Sequence, residues 1–137
     1  MGRGLKIYTA IIAAVVVALI AVAVYEPAKV RELNAVLDRD ESLSAYPYRF
    51  HVLRVEEGVA VMSSPRSASV PVPRIIKVIY PSLEGVAVTD QRYLAAQQQL
   101  AEYQGRAAKR VLSDPDIVRV RWELDEIWLR ERGVVFK

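Results

Sequence analysis

The stretch IYTAIIAAVVVALIAVAVY, residues 7–25, contains no charged residue. Wound as an α-helix at ~1.5 Å per residue it is about 28 Å long, close to the ~30 Å hydrocarbon core of a bilayer. Arg3 and Lys6 precede it, Glu26 follows, and Tyr8 and Tyr25 stand where interfacial aromatic residues belong. A competing reading, a cleaved signal peptide, draws on the same two basic residues and on Ala21-Val22-Ala23 as a small-x-small cleavage site. The run exceeds the ~7–15 residues of a signal core, which favours a retained transmembrane helix.

One face of that helix carries Ala10, Ala14 and Ala18 at successive i, i+4 spacing. Small side chains let a second helix approach closely, so this face is the candidate packing surface for other integral membrane proteins, with plain lipid anchoring as the alternative. Lys and Arg in the short flanks set orientation, and Arg3 and Lys6 are read as the inside charges. Residues 1–6 are then a cytoplasmic tail, 7–25 the transmembrane helix, 26–45 a juxtamembrane helix and linker, and 46–137 a small α+β domain. In a bacterium that domain stands in the periplasm, held to the inner (plasma) membrane by a single pass.

The pI near 9.3 does not by itself imply a nucleic-acid partner. Of the 19 Lys and Arg, Arg3 and Lys6 flank the span, leaving 17 against 16 Asp and Glu in the remainder. A near-neutral domain lacks the charge excess of a phosphate-binding surface, so no nucleic acid is expected. There is no cysteine, which removes disulfides, thiolate nucleophiles and Cys-based metal sites.

Beyond the span, Pro27 reads as the first-turn proline of a juxtamembrane helix, or as a kink through which the transmembrane helix continues, with Val30, Leu33, Val36 and Leu37 at helical spacing. Residues 48–55 and 59–62, punctuated by Glu56-Glu57-Gly58, read as a β-hairpin. The run Val70-Pro71-Val72-Pro73 cannot be a central strand, because each proline removes a ladder donor. In residues 74–80 the isoleucines and valine favour a strand, while Ile75, Ile76 and Ile79 fit one helical face behind Pro73, and the segment is read as a short helix ended by Pro81. A longer helix capped by Thr89 or Asp90 runs to about Leu112, with Tyr93, Leu94, Leu100, Ala101, Ala108, Val111 and Leu112 offered to the core. Val118, Val120, Trp122 and Leu124 alternate with Arg119, Arg121 and Glu123, the period of a strand with one buried face. A last helical turn stops at Gly133. The expected fold class is α+β: a transmembrane helix, then a small antiparallel sheet of about three strands with helices on one face.

The helix, Asp-Pro turn and alternating strand over residues 112–124 resemble the half-motif of small ferredoxin-like sandwiches, a likeness too short to carry function. Val61-Met62-Ser63-Ser64-Pro65-Arg66-Ser67 and Trp122-Glu123-Leu124-Asp125 resemble segments of short single-pass proteobacterial envelope proteins of unknown function. That resemblance implies no activity.

The inventory for chemistry is thin. His51 is the single histidine, without a second His or Cys to complete a metal site, and reads as a half-buried strand residue. Ser63, Ser64 and Ser67 offer a nucleophile with Lys77 or Lys109 as base, but no glycine-rich oxyanion turn accompanies them. The acidic groups at residues 38–41 and 114–116 sit at helix ends, where capping and turn formation account for them. No catalytic residue, metal or cofactor is expected, and the sequence leaves open whether a small molecule binds. Candidate partner-binding residues are Pro65, Arg66, Pro71 and Pro73 in an extended loop, and Trp128 near the C-terminus. The expected role is a non-catalytic accessory or assembly subunit of a membrane complex. A membrane-tethered hydrolase using the serine loop and an envelope ligand-binding module are the alternatives.

Overall fold

The computed structural model describes residues 2–67 and 70–135, with the backbone alone at residues 22–26. The Tyr25 side chain, Val22 and Ala23 of the cleavage reading, and Ala68 and Ser69 of the serine loop therefore lie outside the description.

A single helix, α1 (Arg3–Arg39), carries the apolar run and continues beyond it. Within it Arg3–Ala21, with mean hydropathy 2.3 and no residue buried, is long and apolar enough to cross a membrane. The Thr9 hydroxyl donates to the Leu5 carbonyl at 2.9 Å, so it needs no partner from outside the helix. Pro27 lies inside α1, so the helix continues through it and the first-turn reading falls, leaving the helix one hydrogen bond short there. Past it, Lys29, Leu33 and Leu37 recur every four residues and are buried against the domain.

After α1 come α2 (Glu41–Ala45), β1 (Val52–Glu56), β2 (Val59–Ser64), α3 (Val72–Ile79), a 3-10 turn (Pro81–Leu83), α4 (Gln91–Leu112), β3 (Arg119–Leu124) and α5 (Glu126–Glu131). β1 and β2 form the expected hairpin. Glu57 and Gly58 both adopt positive φ, 49° and 78°, the backbone that matches a two-residue turn to the strand twist. Gly58 is further constrained because an added Cβ would lie 3.3 Å from a Val118 methyl and 3.4 Å from the Asp116 carbonyl oxygen.

The three strands lie in the order β1-β2-β3. β3 pairs parallel to β2, from Val59↔Arg119 to Ser64↔Leu124, so the sheet is mixed where a mainly antiparallel one was expected. The reason is the connection: α3 and α4 intervene between β2 and β3, and a crossover of that length returns the chain to run in the same direction.

The alternation in β3 is reproduced, with Val120, Trp122 and Leu124 half-buried and packed on the core. Val118 departs from it, lying before the strand and 76% exposed. The opposite face of the sheet is charged: Arg54 reaches across β2 to both carboxylate oxygens of Glu123 at 3.1 Å and holds Glu56 at 2.9 Å.

In α4 the buried stripe is Tyr93, Ala96, Leu100, Ala107 and Val111. Leu94 and Leu112 are 52% and 45% exposed and Ala101 is exposed, so the face is rotated by about one residue from the expected one. Ala96 and Ala107 bring the helix backbone close to the core, and larger residues beside them are turned outward. Asp90 caps α4 through the Arg92 N–H at 2.8 Å, Asp125 caps α5 through the Trp128 N–H at 3.1 Å, and Gly133 at φ 79° ends the last turn.

Candidate functional site

Two ion-pair clusters fix α1 to the domain. At one end the Lys29 ammonium, 6% exposed, lies 2.7 Å from Asp114 and 2.9 Å from Asp116. Hydrogen bonds to Asp114 first and Asp116 second raise the Lys29 pKa above its ordinary value, with burial opposing. The same contact holds Asp114 below the usual carboxylate range. At the other end Asp40, its side chain 1% exposed, accepts from Arg106 and Arg110 Nε at 2.8 Å each on one oxygen. Its second oxygen caps α2 through the Ser42 and Leu43 N–H groups. Arg106 chiefly, then Arg110 and the Leu43 N–H, hold Asp40 well below the carboxylate range although burial pulls the other way. Between the clusters the Asn34 side chain bonds both backbone groups of Val52, accepting at 2.7 Å and donating at 3.0 Å. The acidic groups read from sequence as turn and cap formers thus also carry cross-chain ion pairs. A lysine on the 29-33-37 stripe was the available signal, because a buried cation requires a carboxylate partner.

A second feature is an open groove of about 760 Å³ lined by Pro71, Pro73, Arg74, Lys77, Val78, Pro81, Glu84 and Arg132. Arg74 donates to the Gly133 carbonyl at 3.0 Å, tying α3 to the chain after α5. Arg132 sits 4.1 Å above the Trp128 ring, whose edge contact with Tyr48 has a centroid separation of 4.9 Å. Of the candidate partner-binding residues, Pro71 and Pro73 line this groove, and Trp128 lies outside the lining, beneath Arg132. The other two are placed apart: Arg66 is exposed, and Pro65 is fully buried and presents no surface. Ala10, Ala14 and Ala18 are all exposed on α1.

The third feature is a polar chain. His51 Nδ1 lies 2.8 Å from Ser63 Oγ and 3.2 Å from the Arg49 carbonyl oxygen. Nδ1 either donates toward this carbonyl and Ser63 or accepts the Ser63 hydrogen, according to the tautomer of the ring. Ser63 Oγ also accepts from the His51 backbone N–H at 3.2 Å and lies near Tyr48, whose hydroxyl donates to Asp125 at 2.9 Å. Burial raises the Tyr48 pKa, with the Asp125 carboxylate adding to it and the Ser63 contact opposing. Ser63, buried near the end of β2, is engaged by both the ring and the backbone N–H of His51. Ser64 is likewise engaged, donating to Gln104 at 2.9 Å and accepting from the Arg66 N–H. Lys77 lines the groove and Lys109 stands beside Arg106 and Arg110, so neither takes the place of a base beside Ser63 or Ser64. Among the described residues no group of three His, Cys, Asp or Glu side chains is placed to hold a metal ion.

No protein-family model, curated protein or solved structure matches this chain.

Proposed function

We propose that the chain is a non-catalytic accessory or assembly subunit of an inner-membrane complex, with its α+β domain in the periplasm. The observation that carries this reading is the continuity of α1. One helix joins the apolar segment to the core, and the Lys29 and Asp40 clusters hold its second half at both ends. A domain tethered only for localisation would need a flexible linker; this one takes its position and tilt from the helix in the bilayer. The Ala10, Ala14 and Ala18 face supplies the surface for partner helices, and the groove of Arg74, Lys77 and Arg132 favours an acidic segment of a partner.

The test is purification of the tagged full-length protein in mild detergent, with mass spectrometry of co-eluting proteins and parallel Ala14→Leu and Lys77→Glu variants. The expected result is a defined set of membrane proteins that Ala14→Leu reduces and Lys77→Glu weakens. Elution alone, or a set indifferent to both variants, overturns the reading.

The membrane-tethered hydrolase retains one favouring observation, the 2.8 Å contact between Ser63 and His51. Ester turnover by the wild type that is lost in both Ser63→Ala and His51→Ala would establish it in place of the accessory role.

A further inference from the structure

The height of the domain above the bilayer is set by helix geometry. The uncharged run ends at residue 25 and Lys29 follows four residues later in the same helix, a rise of about 6 Å. The polar layer on each side of the hydrocarbon core is about 5–8 Å deep. Lys29 therefore stands at headgroup level, and so do Asp114 and Asp116, which contact its ammonium at 2.7 and 2.9 Å. The turn that carries them ends in Val118, which is 76% exposed and lies over Gly58, and it follows Leu112, itself 45% exposed. Pro115 at its apex is exposed as well. Lys109 and Arg119, both exposed, flank these apolar groups. Apolar side chains beside long cationic ones are the composition of a surface that dips into the interfacial layer while its charges reach lipid phosphates.

We infer that the 112–118 turn seats the domain on the phospholipid headgroup layer, so that the bilayer surface itself is the partner of this end of the fold. The inference rests on α1 being a membrane anchor and holds whichever side of the membrane the domain occupies. Seating gives the domain a second, off-axis contact with the bilayer and fixes its rotation about α1.

The chain has no cysteine, so a single introduced one reports from one place. Full-length protein is reconstituted in phosphatidylcholine–phosphatidylglycerol vesicles as three variants, Val118→Cys, Val135→Cys and Val16→Cys, each labelled with an environment-sensitive fluorophore. All three positions are exposed, so folding is retained. Spin-labelled lipids bearing the quencher at the headgroup or deep in the acyl chain then give depth. The expected result is blue-shifted emission at residue 118, quenched by the headgroup label, no quenching at residue 135, and quenching at residue 16 by the deep label. Quenching at residue 16 with none at residue 118 overturns the seating and leaves the anchor standing. Loss of quenching at residue 16 overturns the anchor, and the seating with it.

Discussion

The two halves of α1 share one backbone and differ in everything around it. In the first half Ala10, Ala14 and Ala18 and their neighbours are exposed on every side. In the second, Leu33 and Leu37 are buried at 1% and 3% exposure, and Lys29 and the C-cap Asp40 pair with residues far along the chain. A helix needs its apolar surface covered, and only the second half finds that cover within the molecule. The first half thus calls for a different solvent, which is the physical content of a membrane segment.

Substitutions in the two halves should therefore separate sharply when the full-length protein in mild detergent is unfolded with urea. Leu33→Ala leaves a cavity between α1 and the sheet and is expected to cost about 2–5 kcal/mol. Next comes Asp40→Ala, which removes a helix cap and strands two arginines. Both guanidinium groups are about half exposed, 47% and 49%, which limits the loss to about 2–3 kcal/mol. The sign of the pH dependence follows from the same pairs. Asp40 and Asp114 have lowered pKa values, so their contribution is present above the unfolded carboxylate value near ~3.9 and is lost as pH falls below it. Lys29 has a raised pKa, so its contribution is full below about 10.4 and is lost as pH rises through the higher folded value. Asp40→Asn should flatten the acid limb and leave the alkaline limb unchanged. Ser63→Ala breaks the polar chain at one buried hydroxyl and should cost about 1 kcal/mol. Ala14→Leu should leave the urea midpoint of the domain where it was. If Ala14→Leu lowers that midpoint as far as Leu33→Ala does, the division of the helix into two environments is wrong.

What the sequence disclosed and what it withheld divide along the range of the interactions. Asp90 before α4, the alternation of Val120, Trp122 and Leu124, and Gly133 after α5 are local signals, and each element stands where those residues put it. The α+β class follows from them. The parallel pairing of β3 does not, because it depends on how α3 and α4 pack before the strand arrives. Nor does the phase of α4, where Ala96 and Ala107 rather than the bulkier Leu94 and Leu112 face inward. The contact between His51 and Ser63 was hidden by a bulge. A uniform register through the Glu57-Gly58 turn sets Val52 opposite Ser63, whereas the extra residue Leu53 shifts Val52 to Met62 and brings His51 to Ser63. Of the candidate site, the prolines of the groove were readable as surface. The arginine that completes it, Arg132, lies 59 residues from Pro73 and joins it only in three dimensions.

Asn34 has a consequence for how such molecules live beside one another. Its amide occupies the backbone donor and acceptor of Val52, groups that would otherwise stand open on the outer edge of β1. An open edge is a template for a neighbouring strand. By filling the first rung of that ladder with a side chain from α1, the molecule closes that position to pairing with a neighbouring strand.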